Sequence, residues 1–329
     1  MSTTASKTWT TRALLAWMGE AFTKQGLDSP RLLAELLLAH VLGTDRLKLY
    51  LDPDRPASPL ERDTLRTLVG RALRHEPVQY LVGEAWFFGL PFKSDKRALI
   101  PRPCTQTIVE HVLQHYRATH GPSQAVATPP SESAPMTARA AGAARGDGLL
   151  IADVCTGSGA IAIALLKNLP AARAVATDIS QDALSLAKEN ALKHDVTDRL
   201  DLLQGDLLAP LRAFPPTAEG TLHYLVSNPP YIPDSEWPSP GNPGQVDQNV
   251  LQHEPHLALR GGPDGMKFVG PLIEHGPALL RTGGQLLVEI AAASANPALT
   301  HAQRNPLLRD AKILKDQDNL DRVLLATRV

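Results

Sequence analysis

Four consecutive residues, Asn228-Pro229-Pro230-Tyr231, carry the most specific chemistry in this chain. The two prolines fix their own φ angles and push each preceding residue toward extended backbone. They also remove two N–H donors, so the corner mainly offers acceptors: the Asn228 side-chain oxygen and the Pro229 carbonyl. Two acceptors suit an NH2 group, whose two hydrogens they can hold. An amide nitrogen is a poor nucleophile because its lone pair is delocalised into the carbonyl. Holding both hydrogens orients that nitrogen and favours its pyramidalisation as a methyl group arrives, and Tyr231 can stack on the planar group. Positioning of this kind supplies on the order of 7–11 kcal/mol and needs no metal or covalent intermediate. Asn228, Pro229 and Tyr231 are the candidate catalytic residues; with Pro230 they form the candidate substrate-binding corner. Without that chemistry, the same run is a rigid proline turn.

A second constellation lies upstream. Asp153-Val154-Cys155-Thr156-Gly157-Ser158-Gly159-Ala160-Ile161-Ala162 joins an apolar run to a helical one. Its two glycines let the backbone approach a ligand closely, with a helix beginning beside them. Asp178 follows about 20 residues on, where a carboxylate can accept from both hydroxyls of a ribose. Asp206, in Gly205-Asp206, is placed to take the exocyclic amine of an adenine. Cys155, Thr156, Gly157, Ser158, Gly159, Asp178, Asp206 and Asn228 are therefore candidate cofactor-binding residues. The loop alone does not separate a nicotinamide dinucleotide from S-adenosylmethionine, because the dinucleotide pattern tolerates alanine at its third position. The Asn228–Tyr231 corner favours S-adenosylmethionine, since hydride transfer has no use for it.

These residues need a scaffold that brings them together, and the pattern from position 149 onward supplies one. Strands are expected at Leu149–Val154, Ala174–Thr177, Leu200–Gln204, Leu222–Ser227 and Gln285–Ala291, with helices at Ala160–Asn168, Gln181–His194 and Met266–Leu280. Alternation of this kind predicts an α/β fold, a doubly wound and mostly parallel sheet with helices on both faces. The fourth of these strands lies beside the first in such a sheet, so Asn228 emerges next to the glycine loop. Ala311–Leu314 and Arg322–Arg328 read as a closing hairpin with an antiparallel edge strand. Ahead of the sheet, Arg12–Phe22, Leu32–Val41 and Leu60–Leu73 show helical periodicity. Ser29-Pro30 reads as an N-cap and first helical position, and Gly43 as a stop. Leu32, Leu33, Leu36, Leu37 and Val41 read as a core stripe. Trp86 to Phe92 reads as a hairpin. The expected domains are a small helical domain at 1–77, a connecting hairpin and helix at 78–117, a mobile Pro/Ala/Ser/Gly-rich insertion at 118–148, and a catalytic domain at 149–329.

Composition narrows the class. The chain holds 33 Lys and Arg against 34 Asp and Glu, a net charge of −1, which argues against a protein living on nucleic-acid phosphates. Hydrophobic residues make up 43% of the chain, enough for a real core. Two cysteines, Cys104 and Cys155, imply no disulfide framework and fit a reducing compartment. The polar start, Met1–Thr10, does not read as a signal peptide, and no run approaches the roughly 20 apolar residues of a membrane span. The expectation is a cytoplasmic, monomeric enzyme.

Taken together, the chain resembles the protein N(5)-glutamine methyltransferases. Ser29-Pro30-Arg31, Leu99-Ile100-Pro101-Arg102-Pro103 with Thr105, the glycine loop, Asn228–Tyr231, His253-Glu254-Pro255 and Gly261-Gly262-Pro263-Asp264-Gly265 carry the resemblance. The resemblance implies a Rossmann-like methyltransferase fold and S-adenosylmethionine as methyl donor. It implies as substrate the glutamine of a Gly-Gly-Gln motif in class 1 peptide chain release factors, or a glutamine of a large-subunit ribosomal protein. The helical start and Ile100–Pro103 resemble the release-factor branch. Cys155 is closer to the ribosomal one. The chain departs from the release-factor pattern at Cys104, where an acidic residue is usual, and at Gln106, where a glutamate is usual. Leu207 stands where the family can place an aromatic residue near the adenine, so it joins the candidate cofactor-binding set.

His253 and His256 flank Glu254-Pro255, but Pro255 breaks the helix a His-Glu-x-x-His metal site needs, so no metal is expected. Cys155 reads as a small buried thiol rather than a nucleophile. Three readings compete: an N6-adenine or guanine amino methyltransferase, a Rossmann oxidoreductase, and an inactive adapter of the same fold.

Overall fold

The computed structural model describes residues 8–121, 148–239 and 244–329. Most of the expected insertion at 118–148, and positions 240–243 of the proline-rich segment after Trp237, lie outside them. The chain divides into two units, one running to Glu84 and taking in Asp247–His253, the other formed by Ala85–Val246 and Glu254–Val329.

The first unit is helical: α1 (Thr11–Lys24), α2 (Pro30–Leu42), α3 (Pro59–Ala72) and α4 (Val78–Val82). Leu14, Met18, Phe22, Leu37, Leu38 and Leu65 form its core. Helix α3 starts with a capping box in which Ser58 and Glu61 satisfy each other's backbone N–H groups. Pro30 is the first helical residue of α2 and Gly43 its left-handed stop, as expected. The Ser29 side chain, however, makes no capping bond, because Ser29 is itself left-handed at φ 51°. The buried face of α2 is also turned from the expected stripe: Leu32 is 38% exposed while Ala34 and Leu38 are buried. Periodicity fails here because nearly every position from 32 to 39 is apolar. Buried Glu35, bonded to Arg31, Arg46 and Tyr50, belongs to the inward side that a hydrophobic pattern passes over.

The second unit is built on a seven-stranded sheet of order β5-β4-β3-β6-β7-β9-β8. Its strands are β3 (Leu150–Val154), β4 (Arg173–Asp178), β5 (Leu200–Gln204), β6 (Leu222–Ser227), β7 (Leu280–Glu289), β8 (Leu308–Lys315) and β9 (Asp321–Arg328). β3 to β7 are parallel; β9 is antiparallel to both β7 and β8. β3 is buried at all five positions, as a strand covered on both faces must be. α5 (Gln106–His120) and the helix α6 (Ala160–Asn168) cover one face; helices at Val269–His275 and Ala295–Arg304 cover the other.

Three sequence expectations are corrected. The hairpin β1–β2 (Glu84–Phe87 and Leu90–Lys93) and α5 are not a connector: Phe87, Phe92, Ile108 and Val112 belong to the sheet's own core. The helix expected at Met266–Leu280 is α-helical only over Val269–His275, because Gly276-Pro277 converts its end to a 3-10 turn. β7 begins at Leu280 rather than Gln285; its register with β6 shifts around polar Arg281-Thr282-Gly283-Gly284, which hides its start from an apolar pattern.

Candidate active site

Register alone assembles the site. Val154 pairs with Thr177 and with Ser227, so Cys155, Asp178 and Asn228 leave three adjacent strands at one level. The chain runs outward one way through β4 and β5 and the other way through β6, so the cleft lies at the reversal of strand order. The Ser227 hydroxyl donates to the Val154 carbonyl at 2.7 Å and ties the two strand ends together.

A cavity of about 380 Å³ opens there. Of the sequence-derived candidates, Cys155, Thr156, Gly157, Ser158, Asp178, Asp206, Leu207, Asn228 and Pro230 line it. Gly159, Pro229 and Tyr231 are not among the lining residues. Gly159 sits behind the loop at φ 82°, where a Cβ would come within 3.0 Å of Ile163 Cδ1 and 3.2 Å of Ala187 Cβ. Its role is close packing of the helix start. Two non-glycine residues at the cavity, Cys155 (φ 60°) and Leu207 (φ 45°), also hold left-handed backbone, a conformation that costs energy and recurs where loops shape a ligand site.

Asp178 is held in place by backbone N–H donors. Oδ2 accepts the Gly157 N–H at 2.9 Å and Oδ1 the Ser180 N–H at 2.9 Å. Burial pushes its proton affinity up, and the backbone donors pull it back down. Asp178 also lines the cleft, where a ribose diol would donate to it. Beneath the loop, fully buried Asp153 accepts from the Thr156 hydroxyl at 2.7 Å and the Ala162 N–H at 3.1 Å, through Oδ2 alone. Its Oδ1 has no partner among the described residues, and burial raises its pKa to about 7. Burial also pushes the Cys155 thiol up, which makes it a packing group rather than a nucleophile.

These bonds decide what the loop can hold. Thr156 N–H is spent on the Thr177 carbonyl (2.9 Å), Gly159 N–H on the Thr156 carbonyl (3.0 Å), and Gly157 and Ala162 N–H on carboxylates. A dinucleotide pyrophosphate needs such amides at a helix start for itself. S-adenosylmethionine, a nucleoside with no phosphate, fits the donor set. Gly157–Ser158 would lie along it, Asp178 would take its ribose, and Ile179, Leu207 and Leu257 give the cavity apolar wall.

The Asn228 corner is anchored from below. Asn228 Nδ2 donates to Thr105 Oγ1 at 3.1 Å. Tyr231 donates its hydroxyl to Glu289 Oε1 at 2.9 Å and packs against the sheet's apolar cluster. Cys104 reaches the same Glu289 oxygen at 3.6 Å, and burial pushes this thiol up to about 12. The departure at Cys104 thus bears on Glu289. A further carboxylate, Glu254, accepts from the Ile100 N–H at 3.1 Å and from Arg102 Nη2 at 2.5 Å, and so clasps the Leu99–Pro101 lip of the cavity. Sequence reasoning named Thr105 and Glu254 only within motifs and missed Glu289. Its signal was a lone charge in the apolar run Leu286-Leu287-Val288-Glu289-Ile290.

Trp237, His253 and His256 have local partners. The Trp237 ring stands edge-on to His256 and 5.4 Å from the Arg260 guanidinium, and His253 lies 3.4 Å from the Arg74 carbonyl. No helix among the described residues is long and apolar enough to cross a membrane.

Comparison with known proteins extends this geometry to the whole chain. Residues 13–83 match the family described as PrmC N-terminal domain, and residues 144–237 match Methyltransferase small domain. A release factor glutamine methyltransferase of Chlorobaculum tepidum is 38% identical over 97% of both chains. Those of Moorella thermoacetica and Rhodopirellula baltica are 37% and 33% identical, the first over 94% of this chain and 97% of its own, the second over 98% of both. With a phosphate-free nucleoside cleft beside an acceptor-rich corner, and relatives of this identity along its full length, the chain belongs to the release factor glutamine methyltransferase family.

Proposed function

We propose that this protein transfers a methyl group from S-adenosylmethionine to the side-chain amide nitrogen of the glutamine in the Gly-Gly-Gln motif of a class 1 peptide chain release factor, acting as a monomer in the cytoplasm. S-adenosylmethionine supplies an electrophilic methyl carbon on a positively charged sulfur. The protein's part is to hold and orient. The Asn228 oxygen and the Pro229 carbonyl accept the two amide hydrogens of the glutamine, and Pro230 closes the wall beside them. The amide nitrogen held there would take the methyl group, and the proton it sheds would pass to solvent water. Tyr231 acts through Glu289 in this scheme, holding the corner rather than stacking on the substrate. Asp178 and the loop Cys155–Gly159 carry the cofactor, with Asp206 and Leu207 at its base end.

The observation that carries this reading is the orientation of Asn228. Its NH2 group is engaged by Thr105, so its oxygen is left for the cavity that Asp178 and the glycine loop also line. Full-length relatives named for release factors support this substrate over the ribosomal protein and the nucleic-acid base. The test is mass spectrometry of a release-factor Gly-Gly-Gln peptide after incubation with protein and S-adenosylmethionine, beside a ribosomal protein and DNA. One added methyl on the glutamine is expected. Methyl on either of the other two alone would overturn the assignment.

A further inference from the structure

The turn Gly261-Gly262-Pro263-Asp264-Gly265 lies against the main chain of Tyr231, at the end of the Asn228–Tyr231 corner. Ile232 donates its N–H to the Leu259 carbonyl at 2.9 Å, and Gly261 donates its own to the Ile232 carbonyl at 2.8 Å, a parallel bridge that laces the two segments together. The contact is main chain on main chain. A Cβ at Gly261 would stand 2.7 Å from both Cα and the carbonyl carbon of Tyr231, and one at Gly265 would stand 2.5 Å from the Tyr231 oxygen and 2.8 Å from Ser294 Oγ. Gly265 is left-handed at φ 77°, which favours glycine on backbone grounds alone. Gly261 is not among the left-handed residues, so it is the approach of Tyr231 that excludes a side chain there. The turn is also bolted to the sheet. Buried Ser294, in the 3-10 turn that follows β7, donates its hydroxyl to the Asp264 carbonyl at 2.8 Å.

A corner that holds an NH2 group between a main-chain carbonyl and a side-chain oxygen needs its backbone fixed in place. Between Asn228 and Tyr231 stand two prolines with locked φ angles, so a shift at Tyr231 is carried to the Pro229 carbonyl and to Asn228 instead of being absorbed on the way. We propose that Gly261 and Gly265 are positioning residues, a backstop that sets where the Asn228–Tyr231 main chain stands relative to the methyl donor. The proposal rests on the amide-methylation reading above and deepens it. The Ser294 bond ties that position to β7, the neighbour of the strand from which the corner leaves. Carbon atoms in contact sit about 3.5–4.0 Å apart, so a methyl group at Gly261 would force the two main chains apart by roughly 0.8 Å or more. That is close to the ~1 Å misplacement that costs about 10²-fold in rate.

The experiment compares Gly261→Ala with Gly283→Ala in the full-length protein by two readouts. Gly283 is left-handed at φ 78° with open space where its Cβ would stand, so alanine there strains the backbone of the same unit without touching the corner. In methyl transfer to the Gly-Gly-Gln peptide, Gly261→Ala is expected to lose about 10- to 100-fold in kcat. Its peptide KM and cofactor Kd should stay within about threefold, the split expected when orientation alone is lost. Gly283→Ala should melt at a lower temperature yet keep kcat within about threefold. In the protein without substrate, the Asn228 side-chain NH2 resonances, identified by their disappearance in Asn228→Asp, report the 3.1 Å bond to Thr105. They should move in Gly261→Ala and stay in place in Gly283→Ala. A parental kcat or unmoved resonances in Gly261→Ala, equal rate losses in the two variants, or a rate loss matched by an equal rise in cofactor Kd would overturn the proposal. Should Gly261→Ala fail to fold, Ser294→Ala decides, because it unbolts the turn and adds no volume. Its kcat should fall about 3- to 10-fold at parental cofactor Kd, the scale of one hydrogen bond, and an unchanged kcat would overturn the proposal. If the wild-type protein methylates no release-factor peptide, the functional reading fails, and the resonances still decide whether the turn holds the corner.

Discussion

Glu254→Gln removes a single charge with almost no change of shape, at a place where both carboxylate oxygens are occupied. Oε1 meets Arg102 at 2.5 Å and Oε2 meets the Ile100 N–H at 3.1 Å, and the side chains are 0% and 29% exposed. A glutamine offers one acceptor and one NH2, so either Arg102 or the Ile100 amide must face a donor. Breaking one side of a buried pair costs about 3–5 kcal/mol. Arg102 retains some access to water, which lowers the expected loss to about 2–4 kcal/mol. In a unit of this size that is roughly 5–15 °C in melting temperature. The clasp holds the Leu99–Pro101 lip, so cofactor affinity should fall as well. The assay is thermal unfolding by circular dichroism with calorimetric titration of S-adenosylmethionine, on Glu254→Gln, Arg102→Met and the double variant. Removing Arg102 as well deletes the stranded charge, so the double variant should be less damaged than the sum of the singles by about 1–3 kcal/mol. A melting temperature within a degree or two of the parent, or strict additivity, would refute the clasp.

Asn228→Ala should bind cofactor normally and lose about 10²–10³-fold in turnover, as expected for one preorganised polar contact; near-parental single-turnover rates would remove the amide clamp. Asp178→Ala should raise cofactor Kd about 10- to 100-fold, the scale of losing bonds to a charged acceptor at about 1.5–3 kcal/mol, with calorimetry as the check. Asp153→Asn tests a pH dependence: the carboxyl titrates near 3.8 when unfolded and about 7 when folded, so the folded state holds the extra proton between these values. Stability from this group is complete below about pH 4 and is lost as pH rises toward about 7. Asparagine lacks that loss, so urea midpoints at about pH 5 and pH 8 should favour the variant increasingly at the higher pH, by about 2 kcal/mol or more; parallel profiles would show that Asp153 does not titrate as described.

Much of this molecule is legible from sequence because its key pairs are local or topological. The strand at Leu222–Ser227 ends where the pattern places it, and the reversal of strand order then sets Asn228 beside the glycine loop. Asp178 is legible because a fixed number of residues separates two consecutive strand ends. What escaped depends on register across long separations. Arg102 and Glu254 lie 152 positions apart, and Cys104 and Glu289 185. No spacing rule joins them. The face of α2 escaped for the opposite reason, since an almost uninterrupted apolar run carries no phase. The buried partner of the Tyr231 hydroxyl, Glu289, was likewise not legible, since it lies 58 positions away at the end of β7.

The site's acceptors share one logic. Asp178, Asp206 and the Asn228 side chain line one cleft, and Asp153 adds a buried carboxyl beneath it. Such a cleft favours a cationic sulfur and a donor NH2, and it repels phosphate. Of the cations lining it, Arg97 is held by Asp95 and Glu189, and Lys267 lies 5.0 Å from the Phe268 ring. A nucleic-acid methyltransferase using the same corner would have to bring a phosphate backbone past these carboxylates. A neutral glutamine side chain meets no such penalty. The carboxylates of the cleft thus weigh against a phosphate-bearing substrate at the Asn228 corner, independently of the spent amides of the glycine loop.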